Sequence, residues 1–133
     1  MNHTLTSLLA VAMLGALTSP ASADTDAAKN AHANALLEAN ASSAAFARIC
    51  EDEPTSEQLK STTMMLLVVA GYPAHTIQMG SAKFNDVMRR EVAQLRSLSD
   101  VDCDTHVSQA RERLASTQAI IRNSRRDTPP TQQ

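Results

Sequence analysis

The chain has 133 residues, 43% of them hydrophobic, 20% charged and only 2% aromatic, and its 12 Lys+Arg against 14 Asp+Glu leave a formal net charge of −2. That length suits one domain and is too short for two full ones, and the charge balance excludes a nucleic-acid binder that works through a strong basic field. Three glycines and a scarcity of aromatic residues exclude a β-sandwich, a barrel and a glycine-rich phosphate loop.

Residues 5–17 form an apolar run, Leu5 to Leu17, of the length expected for a signal-peptide core and too short to span a bilayer. Pro20 breaks it, and Ala21-Ser22-Ala23 supplies the small-x-small pattern that a signal peptidase accepts. The segment before it carries no Lys or Arg, only His3 and the terminal amine. The expected organisation is a signal peptide over 1–23, one helical domain over 24–123 and a disordered tail over 124–133. No cysteine stands at the cut, which argues against a lipoprotein. The mature chain is expected in the periplasm or outside the cell, with no stable membrane insertion. In that oxidising setting the two cysteines, Cys50 and Cys103, are most simply a disulfide.

The mature chain reads as helix throughout. Residues 27–49 are alanine-rich, with an apolar stripe through Ala33, Leu36, Leu37, Ala41, Ala44, Ala45 and Ile49. Alanine favours helix but offers little burial, so this element can approach its neighbours closely and adds modestly to a core. Glu51-Asp52-Glu53-Pro54 ends it. Thr55-Ser56-Glu57-Gln58 fits a capping box with Thr55 as N-cap. Leu59, Thr62 and the unbroken run Met64–Ala70 follow, and apolar residues on every side predict a central, well-buried helix. Gly71 suits a left-handed C′ position, and Pro73 prevents continuation. A third helix reaches Leu98 on the stripe Ile77, Phe84, Val87, Met88, Val92, Leu95 and Leu98, with Gly80-Ser81 as a potential interruption. The fourth starts at Ser99 or Asp102 and buries Val101, Val107, Ala110, Leu114, Thr117 and Ile121. The fold class is therefore all-α, a small four-helix up-down bundle. In that topology the end of helix one and the start of helix four share a pole, where Cys50 and Cys103 stand. The bridge closes a loop of about 54 residues, worth roughly 4 kcal/mol in the chain-entropy model.

Few residues suggest chemistry. There is no Gly-x-Ser-x-Gly elbow and no Cys-x-x-Cys-His haem signature, and the mature histidines His32, His75 and His106 stand apart from one another. Asp100-x-Asp102-Cys103-Asp104-x-His106 spaces oxygens as a calcium loop does. The required glycine is Thr105, however, and the twelfth position is Arg111. Three carboxylates at a helix start also suit the helix dipole. Met64, Met65, Met79 and Met88 could suggest copper(I), but they lie in apolar stripes and read as gap-fillers in an aromatic-poor core. No catalytic residue, cofactor or metal is assigned, and the chain is expected not to be an enzyme.

Charge placement is the most informative feature. Glu51, Asp52 and Glu53 follow Cys50, and Asp100, Asp102 and Asp104 surround Cys103, so a disulfide gathers six carboxylates at one tip. Arg122, Arg125 and Arg126 fall at the opposite end. An acidic tip attracts basic partners. With the Tyr72-Pro73 corner, it is the candidate surface for another envelope or secreted protein. The expected function is a small exported protein-binding module, such as an inhibitor, an immunity-type protein or an accessory protein. A structural or secretion component assembling through the 77–98 face is an alternative.

Cys50-Glu51-Asp52 after the first helical region, the cysteine spacing and the one-disulfide helical layout resemble the periplasmic acid-stress chaperones of the HdeA type. The long alanine-rich helix before Cys50 departs from their pattern. The resemblance implies unfolding in strong acid to expose the apolar 64–70 segment to client proteins. Clustered carboxylates fit such a trigger, because protonating them changes the charge balance.

Overall fold

A computed structural model of the chain describes residues 21–126, with side chains from residue 26 onward. Most of the expected signal peptide, residues 1–20, and the tail residues 127–133 lie outside the described residues. Four helices follow in order: α1 Ala21–Ile49, α2 Glu53–Val69, α3 Ala74–Arg96 and α4 Cys103–Arg126. They form the expected all-α up-down bundle, closed by the Cys50–Cys103 disulfide, whose Cα atoms are 5.5 Å apart. By packing, the chain divides into Met1–Ala33 and Asn34–Gln133. The described side chains 26–32 of the first unit are exposed. At the other end α4 continues past Asn123 to Arg126. Ser124 Oγ donates to the Ile120 carbonyl at 2.9 Å, and arginines suit the negative end of a helix.

Both α1 and α2 end in Schellman turns. After α2, Gly71 takes φ 87° as the C′ residue, its N–H donating to the Val68 carbonyl while the Tyr72 N–H reaches Leu67. After α1 the same two bonds run from Glu51 to Arg48 and from Asp52 to Ala47, with Glu51 at φ 63° where glycine is usual. The start of α2 differs from expectation. Its N-cap is Asp52, not Thr55: Asp52 Oδ1 accepts from the Thr55 N–H and Oδ2 from the Thr55 hydroxyl. Pro54 therefore belongs to the first turn, where its fixed φ suits a helix and its missing N–H costs nothing. Asp102 accepts from the Thr105 N–H and hydroxyl in the same way at the head of α4. Gly80-Ser81 does not interrupt α3. A Cβ on Gly80 would stand 3.0 Å from a Leu67 methyl and 3.4 Å from one of Leu37, so the missing side chain lets α3 pass close to both neighbours.

The core is thin and partly polar. From α1 it takes Leu37, Ala41, Ala44, Ala45 and Ala47; from α3 Phe84, Val92 and Leu95; from α4 Ala110, Leu114 and Ile121. Of the α3 stripe over 77–98, Phe84, Val92 and Leu95 are buried, Ile77, Val87 and Met88 are half-buried, and Leu98 is exposed. α2 is not buried all round. Leu59 and Leu67 are inside, but Met65 is 44% and Val68 54% exposed. α2 lies on the rim, packing most extensively on α4 and less on α3, so only one of its sides meets protein. Met79 is exposed too, so Met65 and Met79 fill no gaps.

At the centre Asn40, 0% exposed, joins three helices. Its amide donates to Thr63 Oγ1 at 2.9 Å and Thr117 Oγ1 at 3.1 Å, and its oxygen accepts from Arg113 Nε at 3.1 Å. Each threonine hydroxyl passes its own proton to a carbonyl one turn back, Leu59 and Arg113. Among the described residues no buried side-chain polar atom lacks a partner. Such a network stabilises only when complete.

Two outcomes follow. Cys50→Ser lowers the melting temperature under oxidising conditions, by the equivalent of about 4 kcal/mol on the chain-entropy estimate; an unchanged melt contradicts a structural bridge. Asn40→Ala leaves a cavity and strands Arg113 Nε, costing about 2–4 kcal/mol in urea denaturation.

Candidate functional site

The disulfide pole is built from two loops far apart in sequence. Residues 50–52 end α1 and open α2; residues 97–102 link α3 to α4. Beneath the disulfide, Phe46 and His106 stack with ring centroids 3.9 Å apart and planes 13° from parallel. Each lies about one turn from its cysteine, so the bridge and the stacked rings form one clamp between α1 and α4.

Disulfide and topology bring the six expected carboxylates to this pole, in different situations. Asp52 is half-buried and engaged. Besides capping α2 it accepts from Arg111 Nη2 at 3.0 Å and Nε at 3.1 Å. The Thr55 hydroxyl, and after it the Thr55 N–H and Arg111, hold its carboxyl below the ordinary value of 3.8 against a smaller opposing effect of burial. The Thr105 hydroxyl and N–H do the same for exposed Asp102. Glu51, Glu53, Asp100 and Asp104 are exposed. Glu51, Asp52 and Asp104 line an open groove with the disulfide, Val107, Arg111 and Glu112. Glu53 and Asp100 stand outside it.

Much of this acidity has a local cause. α2 and α4 run side by side, parallel, with both N-termini at one pole, and two positive helix ends favour carboxylates among them. Tyr72, half-buried, lies in the α2–α3 turn at the opposite pole, so the two candidate surfaces are separate. Sequence reading missed Asn40, Arg111 and the Phe46–His106 stack. Asn40 carried a signal, since it follows Leu37 by three residues on the buried stripe.

Among the described residues no three His, Cys, Asp or Glu side chains converge as a metal site, and none of the described helices is long and apolar enough to cross a membrane. His32 and His75 are exposed on separate helices. No protein-family model, no curated protein and no solved structure matches the chain. The likeness to the HdeA type thus rests on Cys50-Glu51-Asp52 and the general layout.

The capped aspartates set a pH dependence. Their folded values lie below 3.8, so the stability they add is present above that value and is lost as pH falls through the folded values. The melting temperature should hold above about pH 5 and drop below about pH 4. Asp52→Asn keeps a cap acceptor without a titrating group and should flatten part of that drop; an unaltered profile contradicts the assignment.

Proposed function

We propose that the chain is a small exported, non-enzymatic module that binds another envelope or secreted protein through its acidic pole. One observation carries this reading: Glu51 occupies a left-handed Schellman position, φ 63°, that glycine fills at lower cost. A non-glycine residue there costs about 1–2 kcal/mol, and strain of this kind collects at functional positions. The cost keeps a carboxylate beside the groove at the tip of the molecule. Export is supported by the disulfide, which suits an oxidising compartment, and by the apolar run over 5–17 ahead of Ala21-Ser22-Ala23. An inhibitor, an immunity-type protein or an accessory factor all fit a rigid, disulfide-pinned pole that meets a basic partner.

A second reading, an acid-triggered chaperone of the HdeA type, is favoured by the two helix caps. Both are aspartates whose protonation weakens the starts of α2 and α4 together, and α2 already carries Met65 and Val68 at the surface. A protein that stays folded and monomeric in strong acid would dispose of it.

The two roles of Glu51 separate experimentally. Glu51→Gly should raise the unfolding free energy by about 1 kcal/mol while weakening capture of the basic partner from an envelope extract. Reversing Glu53 and Asp100 to lysine, away from the caps, should slow association roughly tenfold at low salt. Capture indifferent to these changes and to salt removes the acidic pole from consideration.

A further inference from the structure

The α2–α4 pair presents one outward face along its length. On α4 the ridge Asp104, Ser108, Arg111, Ala115, Gln118 and Arg122 lines first the groove at the disulfide pole and then a second groove beside Ser61 and Met65 of α2. Steps of three and four residues keep that ridge on one side of the helix. The face is electrically graded. Asp104 and Glu112 mark the half nearer the disulfide, where the charge of Arg111 is taken up by Asp52. Arg122 and Arg126 mark the far half, and neither pairs with a carboxylate among the described residues. Ala115 and Ser61, small and uncharged, lie between. They are level with each other because Thr63 and Thr117 are held level by Asn40. Met65, 44% exposed, adds apolar area next to them.

We propose that this face binds a second copy of the chain as an antiparallel two-fold pair, α4 against α4, centred on Ala115. A two-fold axis lying across the helices brings a graded face onto its own reverse. Counting outward from Ala115, Asp104 falls opposite Arg126 of the second copy, Ser108 opposite Arg122, and Glu112 opposite Gln118. Acid meets base at both ends, whereas a parallel pair sets acid on acid. The antiparallel pair also opposes helix dipoles that reinforce each other within one chain, where α2 and α4 point the same way. Small residues at the centre allow close approach. A face about 33 Å long and two helices wide puts roughly 1,300 Å² into the contact, near the lower end for specific association, so the pair is dissociable. The loops 50–52 and 97–102 project past the overlap, which leaves an acidic pole free at each end. The dimer does not depend on the partner-binding reading.

The test is sedimentation equilibrium of the purified, disulfide-bonded protein across a concentration series. A monomer–dimer equilibrium is expected, weakening roughly tenfold or more between low salt and about 1 M salt. Ala115→Arg, at an exposed helix position, should abolish the dimer and leave the circular dichroism spectrum and melt unchanged. The decisive arm mixes two variants. Asp104→Arg and Arg126→Glu should each be monomeric alone, because each sets like charges opposite, and should dimerise with one another. A protein monomeric at every concentration overturns the proposal, as does a dimer indifferent to Ala115→Arg or a pair of variants that fail to complement. Ala115 and Arg126 lie outside the acidic pole, so loss of the dimer through their variants and loss of partner capture are read separately; Asp104 lines the groove beside Glu51, and its variant is read by sedimentation alone.

Discussion

Two helices begin side by side at one pole, and the bond between Cys50 and Cys103 keeps them there. Parallel neighbours are electrostatically awkward, since like ends of two dipoles meet. The chain answers with carboxylates in the places where orphan N–H groups need acceptors. Asp52 and Asp102 each receive a threonine N–H and hydroxyl at a helix start. Arg111 then ties the cap of α2 back to α4. Covalent link, caps and ion pair form one junction, and the acidity of the pole is in the first place a condition of folding.

The rest of the molecule follows from a lack of bulk. With so few aromatic residues, the interior fills by bringing backbones close. α1 presents alanines, and α3 omits a side chain at Gly80 where it passes Leu67 and Leu37. Close backbones leave room for short polar side chains between them, and Asn40, Thr63 and Thr117 occupy that room with every hydrogen-bonding group paired. Alanine burial removes little apolar area from water, so a cross-link that restricts the unfolded chain weighs more here than in a domain with a large core.

Helix number, order and the cysteine pairing were legible in sequence, because they depend on periodicity, on Gly71-Tyr72-Pro73 as a stop and on connectivity. The stripes of α1 and α4 held for the same reason. The burial of 64–70 was not legible: a continuous apolar run says nothing of how many neighbours a helix has, and α2 has them on one side only. The start of α2 was misplaced because Thr55 looks like a cap, while Asp52 with Pro54 behind it makes the stronger one. At the candidate site the gathering of six carboxylates followed from the disulfide. Their division into caps and free groups depends on side-chain geometry, as does the left-handed turn at Glu51.

The polar centre also bears on how the rods are aligned. Ala41, Ala44, Ala45 and Ala47 are nearly interchangeable, so α1 is close to a smooth shaft that could slide or turn against its neighbours with small loss. Asn40 is the notch in it. A slip of one turn sets Leu36, Leu37 or Ala44 against the hydroxyls of Thr63 and Thr117, none of which can donate to them, or Ser43, whose single hydroxyl proton cannot serve both. A single amide thus selects one axial setting of the least bulky helix, and it does so from inside, where solvent offers the displaced groups no substitute.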